Sequence, residues 1–175
     1  MPIDLDVFSV TGQSAIAIQW VGIQDFELLY KKIWAWFEMN DYSMEEIHYE
    51  EKIVTIGKNM VIKWKGVKPG KEARHKNSYF NYEVEVNFLV IGRKPAETEY
   101  EGRKIKVDSA DTKISFKGRV VRNANKKFSE LDSFKKMIYD RYFVAQYYEE
   151  SKMELYTELY EVVGLAKSFL NLYHF

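Results

Sequence analysis

Few residues in this chain have the type and spacing to do chemistry. Glu46, His48 and Glu50 alternate within EEIHYE. On a β-strand they would share one face, and an imidazole between two carboxylates can hold a divalent metal. The same alternation also describes the wet face of an ordinary strand, and that metal-free reading is the one adopted. His75 lies in a basic stretch and His174 is penultimate, and neither has a Ser, Asp or Glu at a telling spacing. The phosphate-loop pattern Gly-x-x-x-x-Gly-Lys does not occur, and Lys68-Pro69-Gly70-Lys71 lacks the flanking strand and helix that would make a nucleotide cradle. There is no cysteine, so disulfides, thiolate metal sites and Cys nucleophiles are excluded. No catalytic residue, cofactor or metal is assigned, and the sequence points to binding rather than catalysis.

Composition sets the frame for what must position such residues. In 175 residues, 26 Lys and Arg balance 26 Asp and Glu, which argues against a dedicated nucleic-acid binder. Aromatic residues make up 16%, led by thirteen Tyr and eleven Phe, so the chain has large rigid surfaces to pack. The opening MPIDLDVFSV carries acids where a secretion signal would carry lysines, and no apolar run nears the ~18 residues of a membrane span. A cytoplasmic protein with one domain over 1–175 is expected.

The strongest pattern is Ser78 to Ile91. Phe80, Tyr82, Val84, Val86, Phe88 and Val90 alternate with Tyr79, Asn81, Glu83, Glu85 and Asn87, the period of a half-buried strand. Gly92 and Pro95 mark its expected end. Before it, 1–22 reads as an N-terminal strand region, with Ala15 to Val21 a buried strand and Val7 to Val10 pairing with it or lying across an edge. Gln24 or Asp25 caps a helix over 24–42, whose Phe26, Leu29, Tyr30, Ile33 and Phe37 form one stripe widened by Trp34 and Trp36. An antiparallel sheet follows over 45–122, with a phase slip near Lys52 and a turn at Gly57, Lys58 and Asn59. Thr98 to Val107 reads as a short hairpin turned at Glu101 and Gly102, and Asp108 to Asp111 as a second turn. Thr112 to Arg122 alternates again, with Gly118 marking a bend or a close approach. Residues 129–172 are helical, opened by Ser129, and are expected to break near Tyr147 to Ser151 or near Gly164.

The fold class is therefore α+β: a curved antiparallel meander of about six strands, packed on an N-terminal helix and long C-terminal helices. In element order this layout is similar to the helix-grip arrangement of START-like proteins. That resemblance implies a sheet wrapped around a C-terminal helix and an apolar cavity between them. The first functional expectation is a binding protein holding an apolar or amphipathic ligand there, lined by Trp34, Trp64, Tyr82, Phe88 and Tyr142. The alternative is an interaction or self-assembly module. Tyr139, Tyr142, Phe143, Tyr147 and Tyr148 surround a helix too fully to hide against one sheet, and so form the candidate interface. Charge is segregated as well. Glu38 to Glu51 holds six acids and no Lys or Arg, whereas Lys113, Lys117, Arg119 and Arg122, with Arg74 and Lys76 from the loop before the long strand, form a candidate anion patch. A small hydrophobic molecule, a protein partner or a second copy of the chain remain the expected partners.

Overall fold

The computed structural model describes residues 7–11, 15–70, 80–100, 103–122, 133–139 and 145–171. Strand β1 (Val7–Ser9) is followed by β2 (Ile16–Gln24), helix α1 (Phe26–Met39), strands β3 (Ser43–Val54), β4 (Gly57–Pro69), β5 (Phe80–Tyr100) and β6 (Arg103–Arg122), and helices α2 (Ser133–Tyr139) and α3 (Ala145–Asn171). Strands β3, β4, β5 and β6 form an antiparallel meander. Both β1 and β2 pair with β6, at Val7↔Val121 and from Ile16↔Phe116 to Gln24↔Asp108. They are two lengths of one interrupted edge, not a hairpin. The open sheet thus has five strand positions rather than the six expected.

The alternation from Phe80 to Val90 does what its period requires. All six even-numbered side chains are buried, and Ile62, Trp64, Ile114, Phe116 and Val120 from neighbouring strands extend the same face. Each such side chain, moved out of water, stabilises the fold by about 1.5–3 kcal/mol. The strand does not end at Gly92. Gly92 takes φ +66°, the register shifts between Ile91 and Lys94, and β5 continues to Tyr100. Pro95 is tolerated because β5 has by then left β4, whose last partner is Arg93, and so has one free side. Asp108 and Asp111 likewise lie within β6 instead of making a turn. Asp108 pairs with Arg93 at 2.9 Å, and Asp111 accepts from the Gln19 amide at 3.1 Å. The short hairpin expected over Thr98 to Val107 is therefore the tip of one long β5–β6 ribbon.

The β3–β4 turn is Thr55–Ile56, earlier than the expected Gly57 to Asn59, because Gly57 already pairs with Val54. Asn59 instead sits at the register shift between Lys58 and Met60, where its Oδ1 accepts from the Gly92 N–H at 2.9 Å. The phase slip of β3 falls between Glu46 and His48, ahead of Lys52.

Asp25 is the N-cap of α1, accepting from the Leu28 N–H at 2.9 Å. Gln24 is instead buried and donates to Thr112. Helix α1 ends as the chain reverses through Asp41, at φ +64°, letting the Tyr42 N–H bond the Phe37 carbonyl at 3.0 Å. Phe26, Leu29, Ile33 and Phe37 face the sheet. Helix α3 runs unbroken through both expected break points and lays Leu155, Leu159, Val162, Val163, Ala166, Phe169 and Leu170 against the sheet and α1. Leu155 and Leu159 lie over Gly118, where a Cβ would sit 2.5 Å from a Leu159 methyl. Of the two expectations at Gly118, a bend or a close approach, the structure has the close approach.

Candidate functional site: an aromatic groove between α1 and the β3 edge

Among the described residues strand β3 bonds only to β4 and forms one edge of the sheet, with α1 lying beside it over the inner face. One turn apart on α1, Tyr30 and Trp34 point toward this edge. Their rings meet the buried Trp64 of β4 edge-on, with centroids 4.6 and 5.0 Å away, and Trp64 in turn meets Phe88 at 4.6 Å. Such edge-to-face pairs bring the positive rim of one ring to the negative face of the next.

Carboxylates tie down the polar ends of these rings. Tyr30 OH donates to Glu46 Oε2 at 2.5 Å, Trp64 Nε1 donates to the same oxygen at 3.3 Å, and Trp34 Nε1 donates to Glu38 at 2.8 Å. Burial, then the bond to Glu46, pushes the Tyr30 phenol up to about 12, so it stays a neutral donor. Burial and Glu51 raise the Tyr49 phenol as well.

Two depressions meet at Tyr30. One, of about 450 Å³, is lined by Tyr30, Lys31, Trp34, Ala35, Glu38 and Glu46. The other, of about 310 Å³, is lined by residues including Phe26, Tyr30, Tyr49, Met60, Ile62 and Arg93. Together they make a groove along the β3 edge with an aromatic floor, flanked by Glu27, Glu38 and Glu46 and also by Lys31 and Arg93.

Of the expected ligand-lining set only Trp34 lines the groove, while Trp64 and Phe88 are fully buried beneath it, in ring contact with Trp34 and Tyr30. Tyr82 lies elsewhere, its OH donating to Glu154 of α3 at 2.8 Å, and Tyr142 lies outside the described residues. Among the described residues, Leu155, Leu159, Val162, Val163 and Ala166 of α3 join the buried core on the inner face of the sheet. Tyr30, Glu38, Tyr49 and the acceptor role of Glu46 were missed. The spacing of Tyr30, Trp34 and Glu38, four residues apart on one helix, was the signal that could have found them.

The metal trio does not form. The register shift turns Glu46 inward, opposite Trp64, while His48 and Glu50 face outward opposite Lys63 and Val61. No group of three or more metal-ligating side chains occurs among the described residues. His75 and His174 lie outside those residues, as do Arg74 and Lys76. On the outer face Lys113, Lys117 and Arg119 alternate as expected, but Arg119 is bound to Glu83 at 2.7 Å and to Glu85 at 3.3 Å. Arg122 is on the opposite face, over the Tyr148 ring at 5.9 Å.

Of the interface set, Phe143 is outside the described residues and Tyr139 ends α2. Tyr147 is exposed, while Tyr148 is half-buried against Phe80 at 6.2 Å. Further along α3, Tyr156 and Tyr160 form an exposed pair with ring centroids 4.5 Å apart.

A second polar cluster joins α3 to the sheet. Glu158 accepts from Tyr42 OH at 2.6 Å and pairs with Lys68 at 2.5 Å, and the Lys68 ammonium lies 5.1 Å from the Tyr42 ring centroid. Burial pushes the Tyr42 and Tyr82 phenols far up, which keeps both as donors. This cluster ties α3 to β4 and the end of α1 and reads as an anchor for α3. No helix among the described residues is long and apolar enough to cross a membrane. No family model matches the chain, and no curated protein or solved structure matches it.

Proposed function

We propose that this protein is a non-catalytic binding module whose groove between α1 and β3 takes a ligand with an apolar body and a cationic head. The observation that carries this is the arrangement of Tyr30 and Trp34 beside Glu38 and Glu46. Ring faces attract cations through their quadrupole, and a neighbouring carboxylate adds Coulomb attraction. The apolar floor of Phe26, Met60 and Ile62 suits the body of such a ligand. This keeps the amphipathic ligand expected of a helix-grip-like layout but moves it from the C-terminal helix to α1.

The test is a titration with a decyl trimethylammonium salt below its micelle concentration, followed by tryptophan fluorescence and calorimetry, with decanol as the neutral comparison. The cation should bind at least tenfold more tightly than decanol, about 1.4 kcal/mol. Trp34→Ala should remove most of that preference. Equal binding of the two compounds, or a preference that Trp34→Ala leaves intact, would sink the reading.

The exposed Tyr156–Tyr160 pair favours a second reading, self-assembly through α3. Native mass spectrometry of the protein and of Tyr156→Glu/Tyr160→Glu tests it. A monomer in both cases removes it.

A further inference from the structure

We infer that the groove receives an extended, basic segment of a partner protein, which adds to the sheet as a strand along the His48–Val54 half of β3. This rests on the proposed reading of the groove and names its occupant. Three observations converge on it. First, β3 is an edge that pairs regularly with β4 from His48↔Lys63 to Val54↔Gly57 after the shift at Glu46. A regular edge presents a row of outward N–H and C=O groups, the template for strand addition.

Second, among the described residues this half of the edge lacks apolar cover. Ile53 is 85% exposed and Tyr49 50%, and the 310 Å³ depression opens beside Tyr49, Met60 and Ile62. An added strand would direct alternate side chains into that depression and toward Tyr30, because successive side chains point to opposite faces.

Third, charge selects the occupant. Glu45, Glu46, Glu50 and Glu51 lie on β3 with one lysine, Lys52, and Glu27 and Glu38 of α1 line the depressions beside it together with Lys31 and Arg93, the last paired with Asp108. Lysines pair with Glu27, Glu50 and Glu51, whereas Glu38 and Glu46 accept from Trp34, Tyr30 and Trp64. A segment alternating lysine or arginine with apolar residues would satisfy both groove and edge. A second copy pairing through the same edge would bring the Glu-rich strands together, and like charges facing across strands are destabilising.

The experiment uses the intact protein and four labelled synthetic peptides of about seven residues, matched to the regular half of the edge. One alternates lysine with valine and phenylalanine, and a second carries glutamate for every lysine. The other two are the basic peptide N-methylated at alternate residues, one in each register. The basic peptide should bind, with the acidic peptide at least tenfold weaker. At least one N-methylated peptide should also lose tenfold or more, because its N–H groups would be missing from the ladder.

Glu50→Lys/Ile53→Lys replaces exposed side chains that line neither depression. It should weaken the basic peptide at least fivefold and leave decyl trimethylammonium binding unchanged. Binding of both N-methylated peptides as tight as the parent would overturn strand addition. Equal binding of the acidic peptide would overturn the charge selection. Decyl trimethylammonium binding without basic-peptide binding would overturn this inference and leave the groove reading standing, whereas absence of both would remove the two together. A dimer with its β3 amides protected from exchange would identify a second copy as the occupant instead.

Discussion

Replacing Glu158 by alanine should destabilise the protein far more than a surface carboxylate would. Glu158 holds the Lys68 ammonium at 2.5 Å and the Tyr42 hydroxyl at 2.6 Å, and the Lys68 and Glu158 side chains are 13% and 14% exposed. Its removal leaves a mostly buried cation without a counter-charge and a buried phenol without an acceptor. Breaking a fully buried pair from one side costs roughly 3–5 kcal/mol, and the remaining exposure lowers this to about 2–4 kcal/mol. With a urea m-value of about 2 kcal/mol/M, the midpoint should fall by about 1–2 M with m unchanged. The double variant Lys68→Met/Glu158→Leu removes both charges and keeps the volume, so it should recover to within about 1 kcal/mol of the parent. Urea titration followed by far-ultraviolet circular dichroism reads both. A midpoint shift below about 0.3 M for Glu158→Ala, or a double variant no better than the single one, would refute the argument that desolvated charge governs this junction.

Gly57→Ala should cost about 2 kcal/mol or more. At φ +133° the added Cβ would lie 2.7 Å from the Arg93 carbonyl oxygen, a backbone atom that cannot swing away. A thermal midpoint equal to that of the parent would contradict this. Leu155→Ala should cost about 2–5 kcal/mol by opening a void over Gly118, read by the same urea titration; a loss below 1 kcal/mol would mean that the site collapses freely. In alkali, the neutral phenols of Tyr30, Tyr42 and Tyr82 contribute stability that is intact below the ordinary tyrosine value of about 10. That contribution should be lost as pH climbs toward the Tyr30 value of about 12, because unfolded tyrosines ionise while folded ones keep their protons. Tyrosinate absorbance titrated alongside urea midpoints checks it. A single titration near 10 with flat stability would go against the burial of these hydroxyls.

Where burial alone sets the conformation, the sequence was readable. The alternation from Phe80 to Val90 and the stripe Phe26, Leu29, Ile33, Phe37 each repeat at the period of their backbone, so facing and element type followed together. Glycine and proline misled at Gly92 and Pro95, because their tolerance depends on which neighbour a strand has there, a tertiary fact. The interrupted edge was invisible for the same reason. The groove was legible only in part: Trp34 announced itself by size, as did Trp64 and Phe88 buried beneath it, but Glu46 looked like a companion of His48. A single inserted residue, Ile47, reverses that facing, and no local pattern distinguishes a shift at Ile47 from one at Lys52.

The pairing of β1 and β2 with β6 has a consequence for the order of assembly. The strands from β3 to β6 join through successive hairpins and can zip from local turns, whereas Ile16 must find Phe116, a hundred residues further along. Closing so long a loop costs entropy before any contact repays it. The N-terminal edge should therefore dock late, after the meander has presented β6. In the native state its amides should exchange with solvent sooner than those of β5, the strand enclosed between β4 and β6. Until that docking, newly made chains would expose the free side of β6 over Asp108 to Phe116, and with it a second template for pairing.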